Sequence, residues 1–386
     1  LIEAVRAWAD WLIRGVSFGL RTGLAWLSLG LRQIGRWIRA PFALAFRGWL
    51  AAPLWAKLVV VALLLPWGLG YLNFFWSASI LRGYDPEYPS RLGIEARMAA
   101  PRAPLPAAEG VAAQCGTSFI VAAAIDLLDF EVNQNAWLPS NPLYKLGLFG
   151  IPWERTRFFD NKAAFELGIH RAVARTAVEL ADTLGRERGT SEIDADLGSA
   201  RSGVQFDTGT WYFNPFSPRP FGPTTATPTY YRNALASLRR YQERLGNCEA
   251  GFDARADNLL QFVDRIASDI GAATATLMER AEASNAGWLD MRADDYFMFA
   301  KGQLYAYWGI LTGTRADFAE IVDSRELNAI WDNLDQHLRR AVALDPLVIS
   351  NGSEDGFLFP SHLETLGFYA LRARSNLVEI RTVLER

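Results

Sequence analysis

The chain changes its hydrophobic pattern twice. From Leu58 through Leu81 no charged residue interrupts an apolar run that begins LVVVALLLPWGLGYL. At 1.5 Å per residue, the roughly 20 residues needed to cross a bilayer core fit inside it. Pro66 is tolerated in such a helix, and Trp67, Tyr71 and Trp76 are interface or packing aromatics. The run does not read as a signal peptide, because a long stretch precedes it and no small-residue cleavage pattern follows its core. In the preceding segment, Glu3, Arg6, Asp10, Arg14, Ser17, Arg21, Ser28, Arg32, Arg36 and Arg39 share one arc of a helical wheel. Trp8, Leu12, Trp26 and Trp37 point the other way, together with Gly15, Gly19, Gly23 and Gly30. A long basic amphipathic stretch with Trp on its apolar side predicts helix lying in the membrane interface. The glycine spacing either permits close helix contact or merely loosens the helix, at about 1 kcal/mol per glycine relative to Ala.

Beyond LRGYDPEYPSR, the proline- and alanine-rich MAAPRAPLPAAEG suits an extended spacer. From position 111 the period becomes helical. One helix is expected in VAAQCGTSFIVAAAIDLLDF, a long one from Trp153 and another in TPTYYRNALASLRRYQERLG. Two more are expected from about 252 to 284 and about 290 to 312, and a further one in DFAEIVDSRELNAIWDNLDQHLRRAVAL. The predicted fold class is therefore mainly α: amphipathic interfacial helices over 1–52, a transmembrane helix over 54–81, a linker over 82–109 and a helical bundle over 110–386. Residues 203–226 read as an aromatic loop laid over the bundle. Trp211, Tyr212, Phe213, Phe216 and Phe221 crowd into it, either to seal the bundle or to dock a protein or lipid head region.

Charge orients this arrangement. Residues 1–80 carry eight basic and two acidic side chains, leaving a net charge of −9 beyond them. Such a domain is not held on nucleic acid by counterion release. The basic excess before the span predicts a cytoplasmic or interfacial N-terminus attracted to anionic lipid head groups, with the large domain on the far side of the membrane, in a bacterial periplasm if the source is Gram-negative. Cys115 and Cys248 are the only cysteines. In an oxidising compartment a bridge between them is allowed, and two buried free thiols are equally ordinary.

Signals for chemistry are sparse. Asn351, Ser353, Asp355 and Gly356 mimic the start of a calcium loop, but His362 stands where the bidentate Glu belongs and Pro360 intrudes. Turn formers followed by a Ser361–Glu364 capping box account for the same residues. His170 and His337 are the other histidines, and neither they nor the cysteines have metal-site spacing. Hydrolase-elbow, P-loop and dinucleotide motifs are absent from any strand–turn–helix context. Asp294 and Asp295, beside Tyr296, Phe297 and Phe299, are the best acid–base candidates, yet neighbours on a helix point about 100° apart, and acids opening a helix favour its positive end. Asp253, Arg255 and Asp257 read as ion pairs or a cap.

The stretches DADLGSARSGVQFDTGTW, YYRNALASLRRYQERLG, DARADNLLQFVDRIASDIG, DDYFMFAKGQLYAYWGIL with RADFAEIV, and SNGSEDGFL with SHLETLGFYALRARSNLVEIRTVL resemble a bacterial inner-membrane family of unknown function, domain of unknown function 2333, over roughly 110–386. The resemblance implies a short cytoplasmic start, one membrane helix and a periplasmic helical domain. It implies no activity and no catalytic residue, and the amphipathic, glycine-spaced N-terminus departs from it. The expectation is a non-catalytic accessory or scaffold subunit without cofactor or metal, bound to an integral membrane protein or complex and compatible with homo-oligomers. The alternative is an envelope hydrolase acting on peptidoglycan or lipid through paired carboxylates. Candidate interface residues are Trp8, Gly15, Gly19, Gly23, Trp26, Gly30, Trp37, Trp211, Tyr212, Phe213 and Phe216.

Overall fold

A computed structural model describes residues 47–92, 116–147, 153, 156, 159–186, 192–212, 224–284, 287, 290–353 and 360–386. The interface candidates from Trp8 to Trp37, together with Phe213, Phe216, Phe221, Cys115, Asp355 and Gly356, lie outside them. The described residues form helices and no strand, and two isolated bridges join Gly287 to Asn351 and Asn351 to Ser361. Two units divide the chain at Gly70 and Tyr71.

The first unit contributes most of the apolar helix α1, Leu54–Ser79, which carries Pro66 within it. Its mean hydropathy reaches 1.9 over a window in which 11% of residues are buried, so it is long and apolar enough to cross a membrane. Leu58, Leu63, Leu64 and Leu69 are exposed. Core helices of soluble domains hide such surface. Near its start, Lys57 donates from Nζ to the Leu50 carbonyl at 3.1 Å.

The second unit begins inside the last turns of α1. Phe74 is fully buried, stacked on Trp153 with ring centroids 5.8 Å apart, and Phe75 meets Phe159 at 4.9 Å. The C-terminal carbonyls of a helix need donors, and buried Lys162 supplies them, reaching Ser77 O at 2.8 Å and Ile80 O at 3.0 Å. Asn135 brackets the next residue: it accepts from Arg82 N at 2.9 Å and donates to Arg82 O at 2.9 Å. Tyr84 and Tyr88 then stack on Tyr305, at 5.3 and 5.2 Å. Tyr88 opens the one-turn helix α2, Tyr88–Arg91. The segment 82–92, expected as the start of a spacer, is thus packed into the fold by two tyrosines and an asparagine that the proline-rich composition around it disguises.

Helix α3, Phe119–Asp129, runs into a π-turn, Phe130–Gln134, and α4 is Pro142–Leu146. The long helix expected from Trp153 starts later: α5 spans Asn161–Glu179 and ends in a second π-turn, Leu180–Leu184. α6, Ala195–Val204, α7, Thr227–Gly246, and α8, Ala256–Ala283, follow. α9, Ala293–Asp317, is buried along most of its length, as the hub helix of a bundle must be, and packs on α3, α5 and α8. Asp317, at the end of α9, caps the start of α3. Its carboxylate accepts from Ser118 Oγ at 2.6 Å, Phe119 N at 2.8 Å and Ile120 N at 3.0 Å, an anion placed at a helix's positive end.

The helix expected through 318–344 breaks in two, α10, Ala319–Ser324, and α11, Asn328–Val342. Glu326 takes a left-handed φ of 55° between them and lets Leu327 turn fully into the core. α12, His362–Leu384, lies along α8 and α11. Its predicted cap is present, with Ser361 Oγ accepting from Glu364 N at 3.3 Å.

Candidate functional site: a groove between three helices

Glycine sets the spacing of α5 and α9. A Cβ at Gly168 would stand 2.0 Å from the Phe299 carbonyl oxygen, and one at Gly302 would stand 2.1 Å from the Phe165 oxygen. The two backbones therefore touch where no side chain fits. α8 packs along α12 and against α9, while Ala174, Ala272 and Ala273 are too short to fill the space between α5 and α8. A groove of about 870 Å³ results. Tyr296, Phe299, Ala300 and Gln303 of α9 line it, with Leu167, His170, Arg171, Arg175 and Val178 of α5 and Asp269, Thr276 and Leu277 of α8; Val204, Gln205, Phe206 and Thr208 add to the lining.

Its acid is engaged. Arg175 donates to Asp269 through Nε at 3.0 Å and Nη2 at 3.1 Å, and Tyr307 adds its hydroxyl at 2.8 Å. Burial, followed by the charge of Asp269, pushes the Tyr307 hydroxyl well above the usual phenol range. Arg171, one helical turn before Arg175, is exposed and makes no hydrogen bond or ion pair among the described residues. Gln303 is 2% exposed, and its Oε1 has no hydrogen-bond partner among them.

His170 lines the groove while most of its ring is buried in a network behind it. Its Nε2 lies 2.9 Å from the Val204 carbonyl, and its ring stacks on Tyr231 at 4.3 Å and meets Trp137 edge-on at 5.4 Å. Burial lowers its pKa to about 4, and also raises the fully buried Glu131 well above the carboxylate range. The imidazole and the carboxyl stand 3.9 Å apart, and burial disfavours the charged form of each. Nearer α1, Glu166 stands 3.8 Å from Lys162 and accepts from Leu138 N at 2.9 Å. Burial raises Glu166 and lowers Lys162.

The sequence candidates disperse. Asp294 is buried and Asp295 half-buried at the start of α9, and neither is among the groove-lining residues. What sequence did not reveal is their neighbour Asp160, whose carboxyl is raised to about 8 by burial and then by Asp295 and Asp294. Among the described residues, no group of three His, Cys, Asp or Glu side chains is spaced to hold a metal ion. Asn351, the first residue of the calcium-like stretch, is a buried bracket: its Nδ2 donates to Ser284 O at 2.8 Å, Asp290 Oδ2 at 2.9 Å and Arg280 O at 3.1 Å. His362 accepts from Ser350 N at 3.0 Å, so it too joins chain segments. Arg255 pairs with Asp253 at 2.8 Å at the surface. His337 sits on α11, where burial and then Arg372 and Arg340 lower its pKa.

Trp211 and Tyr212 stand edge-to-face at 5.2 Å, with Tyr212 exposed, and Thr224 N donates to Tyr212 O at 2.8 Å to pin the loop's two ends. Cys248 lies in the exposed turn after α7, at φ 62°. Of the groove's polar residues, sequence reasoning named His170 and Tyr296 but not Arg171, Arg175, Asp269 or Gln303. The available signal was Arg171 and Arg175 repeating at i, i+4 around Ala174, on a helix whose other faces are buried.

The family described as an uncharacterized protein conserved in bacteria, domain of unknown function 2333, matches residues 153–286. That stretch holds α5 to α8, hence two walls of the groove but not its α9 floor. It is narrower than the resemblance read from the sequence. No curated protein and no solved structure matches the chain.

Proposed function

We propose that this chain, whose residues 153–286 match an uncharacterized bacterial family, is a membrane-anchored accessory or scaffold protein that binds and organises a membrane complex and performs no chemistry of its own. The observation that carries the reading is that the folded domain begins inside the apolar helix α1. Phe74 and Tyr71 are core residues, and Lys162 caps the helix end, so no slack separates that end from the fold. A tethered enzyme that reaches for substrate gains from a loose spacer; a bracing element gains from its absence. In this reading the N-terminus is cytoplasmic or interfacial, the domain is periplasmic, and Cys115 bridges Cys248 there. The glycine-spaced face near Gly15–Gly30 and the aromatic pair Trp211 and Tyr212 contact the partner. The hydrolase alternative needs convergent acids facing solvent, and Asp269, the one acid among the described groove residues, is held by Arg175 and Tyr307.

The test is purification of the endogenous chain in mild detergent with quantitative mass spectrometry, beside a matched preparation lacking residues 1–50. A stoichiometric membrane partner that is lost on truncation is expected. A monodisperse particle without partner in both preparations overturns the reading.

A further inference from the structure

We infer that the groove between α5, α8 and α9 binds an anionic amphiphile, an alkyl chain ending in a negatively charged head. The groove's volume, about 870 Å³, falls in the range of small-molecule sites, which are mainly apolar with a few placed polar groups. Leu167, Val178, Phe206, Leu277 and Phe299 supply the apolar surface that an alkyl chain would cover.

Charge selects the head. Among the described residues two arginines and one aspartate line the groove, and burial holds the His170 pKa near 4, so the formal balance is positive. Arg175 is closed on Asp269, whereas the Arg171 guanidinium one turn away has no partner among the described residues. A guanidinium at the edge of an apolar groove favours a phosphate or carboxylate, which it can grip through two parallel hydrogen bonds. The second pointer is Gln303, nearly fully buried in the lining, with Oε1 unbonded among the described residues. A buried amide oxygen without a partner costs about 1–3 kcal/mol. A head-group hydroxyl would satisfy its oxygen, and the amide turned over would donate its N–H groups to an anionic oxygen.

The site does not depend on the scaffold reading, since it requires no partner protein, and its test reads ligand binding rather than co-purification. The full chain is reconstituted in nanodiscs of zwitterionic phosphatidylcholine and titrated calorimetrically with octyl phosphate, inorganic phosphate and octyl glucoside, with empty discs subtracted. Octyl phosphate is expected to saturate at one per chain, at least about 10-fold tighter than either other probe, and Arg171→Gln is expected to weaken it about 10-fold. Ala273→Phe, which fills the groove, should reduce binding as much. Should that variant fail to fold, the exposed Arg171 still provides the test through Arg171→Gln. A chain purified already loaded would release a stoichiometric anionic lipid on denaturation, and Arg171→Gln would carry less of it; this outcome also supports the site. No saturable binding with no lipid released overturns the proposal, as does unchanged affinity in Arg171→Gln. Inorganic phosphate binding as tightly as octyl phosphate would mark a bare anion site and would equally overturn it.

Discussion

Arg175 and Asp269 meet across the space between α5 and α8, with Nε 3.0 Å from Oδ2 and Nη2 3.1 Å from Oδ1. The pair ties together two helices that otherwise diverge around the groove. Asp269→Asn keeps the shape but removes the charge facing Arg175 and weakens the acceptor for Tyr307. Because Arg175 is about a third exposed, solvent moderates the loss, and a destabilisation of about 1–3 kcal/mol is expected in thermal unfolding of the detergent-solubilised chain. Arg175→Gln should cost less, and the double variant less than the two losses added, since the residues share one interaction.

The contact of α5 with α9 through Gly168 and Gly302 leaves no room for a methyl group against carbonyl oxygens. Backbone cannot swing aside as a flexible side chain can. Gly302→Ala and Gly168→Ala are each expected to destabilise by about 1–3 kcal/mol, despite the better helix propensity of Ala. Ala at Gly198, whose nearest neighbour would be a methyl 3.7 Å away, is the control and should be neutral or stabilising in the same circular-dichroism melts.

Lys162 holds the end of α1 by its charge and donors. Lys162→Met fills similar volume but strands the Ser77 and Ile80 carbonyls and leaves Glu166 without its counter-charge. Limited proteolysis should then cut in 80–92, a segment that stays intact in the parent chain. Adding Glu166→Gln should restore part of the lost protection, because a buried carboxylate without its partner is the costlier defect.

Asp160 gives the chain a measurable pH dependence. Its folded pKa, about 8, lies above the ordinary carboxylate value, so the folded state binds a proton that the unfolded state has released. The stabilisation is fully present below the unfolded pKa and is lost as pH rises through the folded one. Relative to Asp160→Asn, the parent should lose stability steadily from pH 4 to pH 8 and level off above, by roughly 2–5 kcal/mol in total at 1.4 kcal/mol per unit. Denaturation curves at pH 5 and pH 8.5 check the sign; a parent more stable at pH 8.5, relative to the variant, would contradict it.

Much of the fold was legible because helical period and caps are local. The apolar run, the capping box at Ser361 and the order of the long helices follow from spacing alone. The breaks at Trp153–Asn161 and at Glu326 did not, since amphipathic pattern continues across both and only tertiary packing decides where the backbone turns. The groove was illegible for a related reason. Arg171 and Arg175 lie far in sequence from Asp269 and Gln303, each unremarkable on its helix, and their meeting depends on how closely Gly168 and Gly302 let two backbones approach. The burial of Asp160, Glu131 and Glu166 carries no sequence signal either.

The measurement that tests the account most directly is labelling of a Leu347→Cys variant with a membrane-impermeant maleimide in intact spheroplasts, followed by carbonate washing of the membranes. Leu347 is fully exposed on the helical domain, and a Cys115–Cys248 bridge would leave the parent chain unlabelled without reductant. The account predicts that the variant is labelled from outside, the parent is not, and both stay with the membrane at high pH. Labelling only after lysis, or release of the chain by carbonate, would contradict an anchored domain facing the periplasm.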